Sequence, residues 1–253
     1  MKRFLLLSLV IISFIGLAKA QKTIHIYVAL CDNANQGIVP VPSKLGNGQD
    51  PANNLYWGAM YGIKSFFRYK ASEWELVETI KSDNSKILER VLFKHKTQDA
   101  FILADAYDGA HIKSCTIDFL KAANGQGVQN VIYGDKTLGF AGFSNLVVYC
   151  GHDGLMDFNV MFDYQENTNK IDCMILACYS KAYFNDHIKS AGANPLLWTT
   201  HLMAPEAYTV NAAIDSWLKG ATGLQIEERA AQAYNHYQKC GIKGARNLFT
   251  TGF

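Results

Sequence analysis

NLVVYCGHDG, residues 145–154, and IDCMILACYS, residues 171–180, are two apolar runs of strand length that each break into small and polar residues. Neither alternates between apolar and polar positions. They read as strands of a parallel sheet buried on both faces. Thr23–Leu30, Ala100–Ala106 (AFILADA) and Pro195–Thr200 (PLLWTT) read the same way. Helical patterns lie between them. His111–Ala123 places Ile112, Cys115, Phe119 and Leu120 on one side, and another helix starts near Ser180. Ala204–Leu218 reads as a further helix, as does Ile226–Lys239, whose early glutamates and terminal lysine suit the helix dipole. Leu55–Phe67 carries Leu55, Ala59, Ile63 and Phe66 at helical spacing, while Trp74–Ile80 and Ile87–Phe93 fit either a hairpin or a strand–helix pair. The alternation predicts an α/β three-layer sandwich: a mainly parallel sheet with helices on both faces, and ligands bound at the carboxyl ends of the strands.

The N-terminus has another grammar. Met1-Lys2-Arg3 is basic, Phe4–Leu17 is almost wholly apolar, and Ala18-Lys19-Ala20 is small-x-small. That three-part pattern predicts a cleavable signal peptide over residues 1–20, with a mature chain starting near Gln21 and a secreted or periplasmic location. A retained anchor is the competing reading, but the run is shorter than the ~20 residues a membrane span needs. Residues 21–253 then form one domain, with 221–253 as a C-terminal helical extension. Lys2, Arg3 and Lys19 leave with the signal, so a net charge of +2 falls to near neutral. No basic stripe marks a nucleic-acid partner. The six cysteines, Cys31, Cys115, Cys150, Cys173, Cys178 and Cys240, form no C-x-x-C pair and no zinc spacing with histidine, so neither a metal nor another cofactor is expected. Cys31, Cys150 and Cys173 sit in apolar runs as small hydrophobes; one or two bridges remain open.

Three polar groups fall at strand ends: Asp32-Asn33, His152-Asp153 and Cys178. The first opens a long Gly/Pro/Asn-rich stretch to Asn54, a length that points to a functional or packed surface loop. A thiol attacks only as thiolate and needs a base, which an imidazole on a neighbouring strand end supplies. The Cys178 amide, where strand turns into helix, is well placed for a developing oxyanion. His201, just past the fifth strand, reads as either a cleft residue or a solvated loop histidine.

An apolar strand ending in His and Gly, followed by one ending in Ala-Cys-x-Ser, resembles the caspase-like cysteine peptidases: caspases, metacaspases, legumains, gingipains and clostripain. The resemblance runs by order of elements over residues 23–218, including FILADAYDGAHIKSCTIDFLKAA and PLLWTTHLMAPEAYTVNAAIDSWL. It implies a caspase-like fold, Cys178 as nucleophile and His152 as general acid/base. Asn33, or its neighbour Asp32, is implied to steady the histidine. The Cys178 amide and Gly154 or Asp153 are implied to hold the oxyanion, and Leu176, Thr200 and His201 to line the substrate pocket. The chain also departs from the pattern. Asp153 follows His152 where the family has glycine, which moves the donor or lets Asp153 orient His152. Leu176 replaces the acid that reads basic side chains in many relatives. The expected activity is hydrolysis of peptide or protein substrates. A catalytically silent binding protein, or an amidase or transpeptidase with the same dyad, are the alternatives.

Overall fold

The computed structural model describes residues 21–167 and 169–253, so the expected signal peptide, residues 1–20, lies outside the described residues. In chain order the elements are β1 (Lys22–Ala29), α1 (Ile63–Tyr69), β2 (Trp74–Ile80), β3 (Ile87–His95), β4 (Ala100–Tyr107), α2 (Ile112–Ala123), β5 (Val128–Tyr133) and β6 (Lys136–Ala141). They continue with β7 (Leu146–Cys150), β8 (Asp172–Leu176), α3 (Ser180–Ala191), β9 (Asn194–Thr199), α4 (Ala207–Leu218), α5 (Gly223–Gln238), α6 (Ile242–Leu248) and β10 (Phe249–Thr250).

The five apolar runs meet in one eight-stranded sheet of order β10-β9-β8-β7-β1-β4-β3-β2. β9, β8, β7, β1 and β4 are parallel, while the edge pairings β4–β3, β3–β2 and β9–β10 are antiparallel. The chain steps from β1 to β4 on one side, then crosses to β7 on the other and continues outward to β8 and β9. Such a reversal leaves a crevice at the carboxyl ends of the central strands. The period-2 alternation of β1 divides the core. Ile24, Ile26 and Val28 pack with Val148, Cys150, Met174 and Leu176 under residues of α1, α4 and α5. Tyr27, Ala29, Val147, Tyr149 and Ile175 pack on the other face against α2 and α3. The result is an α/β fold with a large mixed, mostly parallel sheet and helices on both faces.

The structure shortens one expected helix, decides one open alternative and adds elements the sequence did not reveal. Helix α1 begins only at Ile63, because the chain before it folds as turns. A Cβ at Gly58 would lie 2.2 Å from the Pro51 carbonyl oxygen, an approach that only glycine permits. Trp74–Ile80 and Ile87–Phe93 form an antiparallel hairpin. A second hairpin, β5–β6, had no counterpart in the sequence reading; it buries Val131, Leu138 and Phe140 on Leu92, Phe101 and Leu103. At the C-terminus, β10 pairs with β9, placing Phe249 opposite Thr199, so residues 221–253 also complete a sheet edge. All six cysteines are free. No helix among the described residues is long and apolar enough to cross a membrane.

Candidate active site

β7 and β8 are adjacent and parallel, with Cys150 opposite Leu176. Whatever follows each strand therefore emerges side by side. After β8, Ala177 and Cys178 turn into α3 through Tyr179, whose φ of 49° is left-handed. The corner is pinned to β9. Thr199 Oγ donates to the Ala177 carbonyl and accepts the Ser180 N–H at 3.2 Å, while Ser180 Oγ donates to the Ile175 carbonyl at 2.8 Å. The Tyr179 N–H donates to the His201 carbonyl at 3.0 Å. The Cys178 N–H has no acceptor among the described residues, and it sits at the start of α3, where anions are favoured.

After β7, Gly151 takes φ 152°, and a Cβ there would meet the Ala29 carbonyl oxygen at 3.4 Å. His152 follows, with its carbonyl accepting the Tyr149 hydroxyl at 2.8 Å. Its ring Nε2 lies 2.7 Å from Asp157 Oδ2. A carboxylate accepts only, so this contact fixes the proton on Nε2 and leaves Nδ1 as the basic nitrogen. Asp157 Oδ2 also accepts the Gly37 N–H at 2.9 Å. A Cβ at Gly37 would fall 2.3 Å from Asp157 Oδ1, so a larger residue there would displace the carboxylate that holds the histidine.

Cys178 and His152 line one cleft of about 440 Å³. No hydrogen bond joins them in this ligand-free state, and such pairs often tighten only around substrate. Cys178 Sγ instead accepts the Met203 N–H at 3.4 Å and lies 3.6 Å from the Met203 carbonyl oxygen. Burial pushes the Cys178 thiol up, against the lowering effect of the Met203 N–H. The thiol therefore rests protonated, and attack requires a base. The walls are apolar: Ile38, Val39 and Val41 from the long loop, Leu55 and Tyr56, Met156, and residues 202–205. Glu206 adds a carboxyl raised by burial, whose Oε2 accepts from the Tyr208 hydroxyl at 2.8 Å and Gln238 Nε2 at 3.0 Å.

Several expected site residues lie elsewhere. Asn33 does not steady His152; its amide clamps Val41, accepting that residue's N–H at 3.0 Å and donating to its carbonyl at 2.7 Å. Asp32 binds the Ala34 and Asn35 amides and the Gln49 side chain, which holds its carboxyl below the usual range despite burial. Asp153 does not orient His152 either. Its Oδ1 accepts the Leu155 N–H at 2.9 Å, capping the turn 154–156; its Oδ2 is buried without a partner, and burial pushes its pKa up to about 7. Gly154 is buried under Phe158, where a Cβ would lie 2.5 Å from the ring, and does not line the cleft. Leu176 is wholly buried in the core. Thr200 donates to the Asn247 carbonyl at 2.8 Å, and the His201 ring stands against Tyr179 outside the cleft lining. The pocket wall begins one residue later, at Leu202. Asp157 and Gly37 were not singled out from the sequence; an acid five residues past a strand-end histidine, and a glycine in the long loop after β1, were the available signals. No protein-family model matches the chain, no curated protein matches its sequence, and no solved structure matches its fold.

Proposed function

We propose that this protein is an exported cysteine peptidase of caspase-like fold that hydrolyses peptide or protein substrates. The observation that carries the reading is that Cys178 and His152, from the ends of adjacent parallel strands, face one cleft with His152 oriented by Asp157. The caspase-like assignment rests on the resemblance of the sequence around LVVYCGHDG and CMILACYSK. As Cys178 Sγ attacks the scissile carbonyl, its proton passes to His152 Nδ1, and the Cys178 N–H donates to the oxyanion. The protonated imidazole returns that proton to the leaving amine as the C–N bond breaks. Water, deprotonated by His152, then cleaves the thioester and releases Cys178. The lining of Ile38, Val39, Leu55 and Leu202 favours apolar side chains beside the scissile bond.

A second reading, a binding protein that has lost catalysis, draws on the contact of Cys178 Sγ with the Met203 backbone. A peptide library separates the two. Wild-type mature protein is expected to cleave a subset of peptides, and Cys178→Ala to abolish cleavage. Peptides bound by both forms and cleaved by neither would establish the binding protein instead.

A further inference from the structure

A second cleft, of about 390 Å³, opens on the opposite face of the sheet, over β1, the last residues of β4, the first of β3 and the β2–β3 turn. Its floor is a charged row. Asp105 is fully buried and accepts two hydrogen bonds from Arg90, from Nε at 2.6 Å and Nη2 at 2.7 Å. His25, also buried, accepts the Ala141 N–H on Nδ1 at 3.2 Å, so its Nε2 carries the proton and donates to Asp105 Oδ2 at 3.0 Å. On the α2 wall, Tyr107 donates to Asp118 Oδ2 at 2.9 Å.

The sheet did not need charges here for packing. One row down on the same face stand Leu103 and Leu92, sealed under the β5–β6 hairpin. A buried ion pair is seldom more stabilising than apolar residues of the same volume. The hairpin covers the apolar row and leaves the charged row to line an open cavity. Besides Glu78, Lys81, Asp83 and Lys121, which also line the cleft, two charged groups hydrogen-bonded at its floor and its α2 wall keep capacity. Arg90 uses Nε and Nη2 on Asp105, leaving the Nη1 donors. Asp118 makes no ion pair among the described residues, and burial raises its carboxyl. A guanidinium edge and a carboxylate in one cavity are complementary to a ligand carrying both a carboxylate and an ammonium. The cavity suits an amino acid or a dipeptide in size.

We infer that this cleft is a binding site for a small zwitterion, an amino acid or short peptide whose carboxylate meets Arg90 and whose ammonium meets Asp118. It is independent of the Cys178 cleft, from which the sheet separates it.

The test titrates the mature protein with the twenty L-amino acids and L-alanyl-L-alanine by calorimetry, alongside N-acetyl-L-alanine and L-alaninamide, which carry one charge each. At least one zwitterion should saturate the protein at up to millimolar concentration, and neither single-charge probe should match it. Asp118→Asn should weaken that binding about tenfold or more, the loss of one charge-assisted contact. The double variant Arg90→Gln/Asp105→Asn removes the guanidinium without stranding a buried charge and should do the same. Iodoacetamide labelling of Cys178 should be unchanged in both. No saturable zwitterion, equal binding of a single-charge probe, or binding indifferent to both variants would overturn the assignment.

Discussion

The two clefts lie on opposite faces of one sheet and are built in opposite ways. The Cys178 cleft is apolar, and its reactive groups stand beyond the strand ends, where side chains are not locked into the ladder's packing. The Arg90 cleft lies over the face of the sheet, and the charges on its floor satisfy one another: Asp105 binds both Arg90 and His25. Groups at strand ends keep reactive valence, whereas groups within a sheet must be mutually satisfied to be buried at all. Histidine illustrates both cases. His25 uses both ring nitrogens within the protein, while His152 hydrogen-bonds through Nε2 alone.

This contrast can be broken by cutting into each region. Asp105→Ala should have the larger effect on stability, about 3–5 kcal/mol, because it strands Arg90 in a buried site. Urea unfolding measures the loss, and peptide cleavage should persist while the variant is folded. A comparable loss of cleavage in the folded variant would couple the two faces.

Asp153 sharpens the comparison from the other side, as a strand-end carboxyl that is buried without being satisfied. Its folded pKa of about 7 lies above the ordinary 3.8. The folded state therefore binds the extra proton between those values, and the associated stability, on the order of 4 kcal/mol, is lost as pH rises from about 4 through 7. Urea unfolding of Asp153→Asn at pH 5 and pH 8 should show a flatter pH dependence than wild type; an unchanged slope would remove Asp153 as its source. Smaller still is the expected cost of Asp157→Asn. Loss of the histidine's orienting carboxylate should lower kcat/KM roughly 10- to 100-fold with KM little changed. An effect confined to KM would make Asp157 a substrate contact instead.

The sheet was legible because parallel strands buried on both faces leave uninterrupted apolar runs, and NLVVYC and IDCMILA could be little else. Cys178 and His152 were legible because each follows such a run directly. The partners of His152 were not. Asp157 reaches the ring through an irregular turn, and Gly37 arrives from a loop more than a hundred residues upstream, neither at a spacing that any period encodes. Leu55–Phe67 misled because its apolar spacing matches a helix, while Tyr56 and Trp57 are buried from turns. Strands β5 and β6 were missed because a two-stranded hairpin lying on the sheet buries only alternate residues and exposes apolar ones such as Val128 and Ile132, and so lacks a continuous apolar run.

In the proposed mechanism His152 serves Cys178 as its base. The most direct measurement is the rate of iodoacetamide alkylation of Cys178 at neutral pH, in a Cys240→Ser background that removes the exposed thiol. Because burial holds the Cys178 thiol protonated, alkylation should depend on proton transfer to His152, and His152→Ala should slow it by about tenfold or more. Equal rates with and without His152 would contradict the account.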